Sequence, residues 1–368
     1  MKPGIILIQG INGQGKSNLL EAIYILSIAK SHRTRNEKEL IYKYKENNID
    51  FTQIKSIISH NQKESIIQIN YHVTSPIDLV HHEQSSIGSL TKSIKFDGAQ
   101  ISSSNLVGNL TSVLFNAEDL EIIFGGPSIR RKYIDILISQ LNRKYLINLQ
   151  NYQKILTQRN NLLKSIRKSS ASIEELYFWN DELIEKGSYL ISERNSVIKS
   201  LNNLSLPIHK HLSNDTENLE ITYLSNIKDI IEEDISKSFK EELNIKEKEE
   251  IYQGVTLVGP HRDDIKISIN NLSAHSYASR GQSRTAILSM KLAQAKFLMD
   301  FYKKEPIILL DDVLSELDIY RSQKILTLAT KYTQCIITTS NAILLKDKNI
   351  FCNQKFTIKD GIISNFNE

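Results

Sequence analysis

The residues in this 368-residue chain best suited to phosphate chemistry begin at its tenth position. Gly10-Ile11-Asn12-Gly13-Gln14-Gly15-Lys16-Ser17 has the G-x-x-x-x-G-K-[ST] spacing of a phosphate-binding loop. Its glycines let the backbone bend so that successive N–H groups point at one anion. A helix starting there adds roughly half a positive charge. Lys16 would then reach the β- and γ-phosphates of ATP, and Ser17 would ligate Mg²⁺, an ion that keeps several waters and needs few protein ligands.

Two further segments complete the chemistry. Pro306-Ile307-Ile308-Leu309-Leu310-Asp311-Asp312 is an apolar run ending in two acids, the form of a Walker B strand. Asp311 would bind the Mg²⁺ water shell, and Asp312 stands where a general base for the attacking water belongs. Catalysis would rest on Asp312 and Lys16. Ser279-Arg280-Gly281-Gln282 opens a helical pattern running to Tyr302, and Ser and Gly at a helix start suit an anion. Alone this motif is weak. Between the other two it resembles the signature loop of ABC-type ATPases, and Ser315-Glu316-Leu317-Asp318 resembles their D-loop. In that class Ser279, Gly281 and Gln282 of one subunit would cap ATP held by the loop of another, which implies an ATP-dependent homodimer.

Lys16 and Asp311 stand at opposite ends of the chain, so the elements that position them must form a discontinuous domain. The expected fold is α/β: an ABC-type P-loop ATPase head, a mixed sheet with flanking helices, with an inserted α-helical lobe. The expected boundaries are 1–125 plus 250–368 for the ATPase domain and 126–249 for the lobe. Ile5–Ile8 is an unbroken apolar run, as a buried parallel strand requires. Ser17–Lys30 reads as a helix with Leu19, Leu20, Ala22, Ile23 and Leu26 on one face. Residues 50–115 alternate as an antiparallel patch. From Ser128 to Leu204 the period becomes helical. One stripe is Leu141, Tyr145, Leu149, Tyr152, Leu156, Leu163 and Ile166; a second is Leu176, Trp179, Leu183, Leu190, Val197 and Leu201. Lys164–Ser172 joins them. Lys228–Glu250 reads as a solvated helix or a linker.

Composition sets outer limits. A net charge of +4 permits nucleic-acid binding without requiring it. Cys335 and Cys352 make no metal site and suit a reducing compartment. No run reaches the roughly 18 apolar residues that cross a bilayer, so a soluble, cytoplasmic protein is expected. His81-His82 reads as a solvated loop. His261-Arg262-Asp263 imitates the kinase catalytic triplet, but Ser268 stands where that pattern needs Asn and no D-F-G follows.

The motifs taken together are similar to those of the RecF family, bacterial recombination and repair proteins related to SMC heads. The resemblance rests on Asn12–Tyr24, Ser31–Thr34, Glu118–Asp135, Gln158-Arg159-Asn160, Thr256–Asp264, Tyr277–Thr285 and Leu309–Asp318. Asp312 agrees with it, since many other ABC ATPases have Glu there. Chains of that family carry a strand pair ahead of the P-loop strand, where this sequence has only Met1–Gly4. The resemblance implies binding of double-stranded DNA near ds/ss junctions at gaps, with RecO and RecR as partners in loading RecA. ATP would drive dimerisation and weak hydrolysis would reverse it. Candidate DNA contacts are the clusters Lys30, His32, Arg33, Arg35 and Arg130, Arg131, Lys132, extended by Arg143 and Lys144; Arg280 and Arg284 flank the signature loop. An ABC transporter subunit is the alternative, opposed by the long insert between the Walker A and signature segments.

Overall fold

Ile5–Ile8 have no polar alternation, and in the computed structural model all four are buried in a strand, β1 (Gly4–Gln9). The structure describes residues 1–34, 36–41, 51–60, 63–74, 89–227, 235–316, 319–340 and 352–365. They form two compact units, one of residues 1–116 with 305–368, the other of residues 117–304.

The first unit is built on a sheet of β6 (Ser112–Phe115), β10 (Ile307–Asp311), β11 (Gln334–Thr339), β1, β12 (Gln354–Lys359) and β13 (Ile362–Asn365), adjacent in that order. All pairings are parallel except the last. Helix α1 (Lys16–Ile28) follows β1; α2 (Ser103–Leu106) and α10 (Ile319–Ala329) are the other α-helices among the described residues of this unit. Carboxyl ends of parallel strands are where open α/β sheets bind ligands. Here the ends of β1 and β10, carrying the two Walker segments, flank the end of β11.

The expected antiparallel patch is a second sheet in the same unit: β2 (Phe51–His60), β3 (Lys63–Thr74), β4 (Ser89–Phe96) and β5 (Ala99–Ile101). Alternation gives it two faces. Ile67, Ile69, Tyr71 and Ile94 pack on Ile25, Leu26 and Ala29 of the α1 region. The opposite face is mixed, with Phe51, Ile57, Ile66 and Glu64 exposed on it beside polar rows. In register it carries Lys55–Gln68–Lys95–Gln100 and Gln53–Asn70–Ser93. Neither row contains a carboxylate.

The second unit holds α3 (Glu121–Phe124), α4 (Pro127–Leu141), α5 (Arg143–Arg167), α6 (Glu175–Ser213), α7 (Ile235–Gln253), α8 (Ala274–Tyr277) and α9 (Arg280–Tyr302). A small sheet, β7 (Leu219–Leu224), β8 (Asp264–Ile269) and β9 (Leu272–Ser273), accompanies them. The two helical stripes are largely buried, with Leu149, Leu156 and Trp179 only half so. Residues 228–234 and the His81-His82 pair lie outside the described residues. The segment expected as a solvated helix or linker is helical from Ile235 and buries Phe239 and Leu243. The unit boundaries differ from those expected at 125/126 and 249/250. Residues 250–304 cluster with the helices because α9 packs along α6 and β8 pairs with β7.

The α5 stripe also contains a cation. Arg159 is completely buried, with Nη2 2.6 Å from Glu250 Oε2, Nε donating to Asn180 Oδ1 at 2.8 Å and Nη1 to Thr256 Oγ1 at 2.8 Å. Each donor edge of the guanidinium has an acceptor, as a buried charge requires.

The segment Thr256–Asp264 is a second brace. Asp263 Oδ1 accepts from Asn226 N at 2.7 Å and Oδ2 from the Tyr223 hydroxyl. Arg194 bonds Pro260 O at 2.6 Å and pairs with Asp135. His261 Nε2 faces Thr256 O at 3.0 Å, so Nε2 carries the proton, and Nδ1 accepts from the Tyr152 hydroxyl at 2.7 Å. Burial, with the Arg262, Arg131 and Arg159 charges, lowers the imidazole to about 4 despite its bond to Thr256. The unfolded chain binds that proton near 6.5 and the folded chain only near 4. The stability contributed is therefore whole above pH 6.5 and lost as pH falls to about 4, an effect of about 3 kcal/mol. Asp263, pushed up by burial, acts in the opposite sense. His261→Gln preserves a donor and an acceptor but does not titrate. Urea unfolding at pH 7.5 and 4.5 is expected to show a smaller pH loss for the variant; equal losses would contradict this role for His261.

Candidate nucleotide-binding site

Gly15 begins α1 with φ of 99°, a left-handed conformation that suits glycine. No side chain caps this helix start, so its first-turn N–H groups belong to the loop. Lys16 is buried, and its Nζ donates to Gly10 O at 2.7 Å and Ile11 O at 3.0 Å, which places the ammonium inside the curve of its own loop. The loop is held from outside by the β12–β13 turn. Gln14 Oε1 accepts from Asp360 N at 2.6 Å, and Gln14 O from Gly361 N at 3.2 Å. Gly10 passes so close to β12 that a Cβ there would lie 2.5 Å from Ile358 O. Ile11, Asn12 and Gly13 form the exposed outer part of the loop.

Ser17 and Asp311, far apart in sequence, meet: Ser17 Oγ donates to Asp311 Oδ1 at 3.0 Å. A hydroxyl and a carboxylate oxygen side by side are hard ligands, and they fit Mg²⁺ with water completing its shell. Among the described residues no cluster of three or more His, Cys, Asp or Glu could hold a metal on its own, so softer multi-ligand sites do not compete here.

Thr338, at the end of β11, is a site residue that the motifs did not reveal. Its Oγ1 donates to Asp311 Oδ1 at 2.7 Å and accepts from Asp312 N at 3.0 Å, so one hydroxyl aligns both acids. The available signal was Thr338-Thr339-Ser340 closing the apolar run Ile336-Ile337. Asp312 has φ of 53°, uncommon for a residue other than glycine, and strained backbone clusters at functional sites. Its Oδ1 is buried without a hydrogen-bond partner. An unsatisfied buried carboxylate oxygen is uncommon and calls for a functional explanation. Neither cysteine offers a nucleophile to this chemistry: burial raises the Cys335 thiol to about 12 and also raises Cys352.

Ser279 caps α9, accepting from Gln282 N at 3.2 Å while Gln282 Oε1 accepts from Ser279 N at 2.9 Å, a complete capping box. Ser279 and Arg280 are exposed, and Gly281 is half-buried at the positive end of a 23-residue helix. Ser279, Gly281 and Gln282 belong to the second compact unit, whereas Lys16, Ser17, Asp311 and Asp312 belong to the first. Of the D-loop, Leu317 and Asp318 lie outside the described residues, and Ser315 Oγ donates to Asp312 O at 2.6 Å.

Three arginines of the basic clusters make internal bonds. Arg130 binds Asp264 through both oxygens at 2.7 and 2.9 Å and Gly125 O at 2.7 Å, and Arg131 donates to Asp263 O at 2.6 Å. Arg33 bonds Asn18 Oδ1 at 2.9 Å and lies 3.4 Å from Glu21. Arg35 lies outside the described residues. Lys144 sits 4.8 Å from the Tyr189 ring centroid, and Arg143 is exposed.

Known proteins match this arrangement along nearly the whole chain. The family model described as RecF/RecN/SMC N terminal domain matches residues 1–360. The DNA replication and repair protein RecF of Lachnoclostridium phytofermentans is 38% identical over 88% of this chain and 83% of its own length. That of Halothermothrix orenii is 35% identical, covering 97% and 92%. A solved structure of the recombination mediator protein RecF with ATP superposes with a TM-score of 0.86 at 34% identity, over 100% of this chain and 92% of that one. The Smc head domain of Pyrococcus furiosus, at 15% identity and a TM-score of 0.51, shares the ABC-type head fold. Descent is thus visible from the P-loop strand to the last sheet, and the chain belongs to the RecF family.

Proposed function

We propose that this chain is an ATP-switched, DNA-binding protein of recombinational repair and replication that dimerises around two nucleotides. The observation that carries the reading is the meeting of Lys16, Ser17, Asp311 and Asp312 at adjoining strand ends, in a chain that also presents Ser279 at a helix start. One copy supplies the phosphate loop, the Mg²⁺ oxygens and the base; the signature loop supplies N–H groups and a hydroxyl to a second copy's nucleotide. ATP buried between copies favours the dimer by differential binding. The ATPase domain proper would draw on both compact units, since the signature segment is in the second. Weak hydrolysis would then open the dimer.

The relatives' names support replication and repair as the setting, and a RecFOR pathway is named for the RecF–ATP structure. RecO and RecR are the partners this reading implies, with RecA loaded downstream, and the cytoplasm is the compartment. No described helix is long and apolar enough to cross a membrane. The transporter alternative has no support among these relatives.

For the DNA surface, the outer face of the β2–β5 sheet is a candidate beside the arginine clusters. Lys55 and Lys95 flank Gln68 in one register row, beside Gln53, Asn70 and Ser93. Cations and amides in these two rows suit a duplex phosphate backbone, with Glu64 of the same face lying outside them. The test is a mobility-shift series with duplex, gapped and single-stranded DNA, with and without Mg-ATP, across salt concentrations. Tightest binding to duplex or gapped DNA with ATP is expected, and no ATP dependence would count against the switch. Ser279→Arg should retain ATP and lose the ATP effect. Lys55→Gln with Lys95→Gln should reduce the salt slope by about 2; an unchanged slope would remove this face from the interface.

A further inference from the structure

The amino end of α9 is held by a side chain outside the signature segment. Gln282 Nε2 donates to Glu217 Oε1 at 3.0 Å, while Gln282 Oε1 accepts from Ser279 N at 2.9 Å. A carboxamide donates only from nitrogen and accepts at oxygen. The Glu217 carboxylate therefore decides which way the Gln282 amide faces. A reversed amide would turn oxygen toward the carboxylate and NH₂ toward the Ser279 N–H, and the capping box would lose its return bond. With the box closed, Ser279 Oγ accepts from Gln282 N at 3.2 Å, which leaves its hydroxyl proton for donation to a phosphate oxygen.

Glu217 is itself placed, in the link between α6 and β7. Its Oε2 lies 3.2 Å from Nε2 of His209, a fully buried residue in the last turns of α6. His209 Nδ1 is 3.2 Å from Ser289 Oγ, and that hydroxyl donates to Thr285 O at 2.7 Å. With the Ser289 proton spent, Nδ1 is the donor in the His209–Ser289 pair, so Nε2 pairs with the Glu217 carboxylate only when the imidazole is protonated. Glu217 thus lies between Gln282 at the start of α9 and His209 near the end of the 39-residue α6.

We propose that Glu217 is the positioning residue of the signature loop. It fixes the Gln282 amide, the amide fixes the backbone at Ser279, and Ser279 meets the nucleotide of a second copy in one prepared conformation. The order gained before association is order that association need not impose. The inference rests on the proposed reading of Ser279 as the residue that closes a partner copy's site.

The experiment compares the full chain with Glu217→Ala, Glu217→Gln and Gln282→Ala. Sedimentation velocity measures self-association with Mg-ATP, and a fluorescent ATP analogue measures nucleotide affinity at low protein concentration. Glu217→Ala and Gln282→Ala should weaken the ATP-dependent dimer about tenfold or more, the scale of a lost hydrogen bond to a charged group. Nucleotide affinity of the Glu217 variants should stay unchanged, because Glu217 is outside the phosphate loop, which lies in the other unit. Glu217→Gln keeps an acceptor for Gln282 Nε2 and should recover most of the association. A Glu217→Ala dimer as strong as wild type overturns the inference alone. So does parallel loss of nucleotide affinity, dimer and melting temperature in both Glu217 variants, the result of a merely structural role. A wild-type chain that stays monomeric with Mg-ATP overturns the reading beneath it as well.

Discussion

Lys16→Met is expected to reduce ATP affinity by at least about a hundredfold. Charge-assisted hydrogen bonds contribute about 1.5–3 kcal/mol each, and every 1.4 kcal/mol is a factor of ten. Lys16 carries two bonds to Gly10 O and Ile11 O, so its ammonium is already at the centre of the loop, where phosphate oxygens would exchange with those carbonyls. Methionine matches the length of the stem and removes the charge. The measurement is equilibrium binding of a fluorescent ATP analogue, with melting temperature as the check on folding. A folded variant with wild-type affinity would show that Lys16 does not touch the nucleotide.

Asp312→Asn should slow hydrolysis by about 10²–10⁴-fold, the usual contribution of a positioned general base. The substitution is nearly isosteric. Asparagine also accepts the left-handed backbone that Asp312 adopts, so φ of 53° adds little strain. What changes is the carboxylate charge, which draws a proton from water. ATP binding should persist, and the ATP-bound dimer should live longer because its exit step is slowed. Single-turnover hydrolysis gives the rate, and light scattering gives the dimer lifetime. A wild-type rate would assign the base to another group.

Much of the site could be read before any coordinates, because both Walker segments are continuous in sequence and each carries its own strand. What could not be read depended on neighbours. Thr338 matters because β11 lies between β1 and β10, a fact of sheet order that no local spacing records. Arg130 and Arg131 look like a surface cluster in sequence, yet Asp264 and the Asp263 carbonyl consume them. Charge is visible in a sequence and its partner is not. Arg159 makes the same point from the other side: it sits on a helical stripe otherwise made of Leu, Ile and Tyr, with Glu250 waiting on another helix. The rhythm of residues 250–304 resembles the α/β domain, but the packing of α9 on α6 groups them with the helices.

The turn that braces the phosphate loop has a consequence for biosynthesis. Gln14 is anchored to Asp360 and Gly361, and β1 is hydrogen-bonded on one side to β11 and on the other to β12. Every one of those supports is translated long after the loop itself. A nascent chain holds the full phosphate-binding motif long before β11 and β12 are made, and until then the motif has no scaffold. Competence for nucleotide is thus deferred until those strands are translated, and a shorter nascent chain carries the motif without its function.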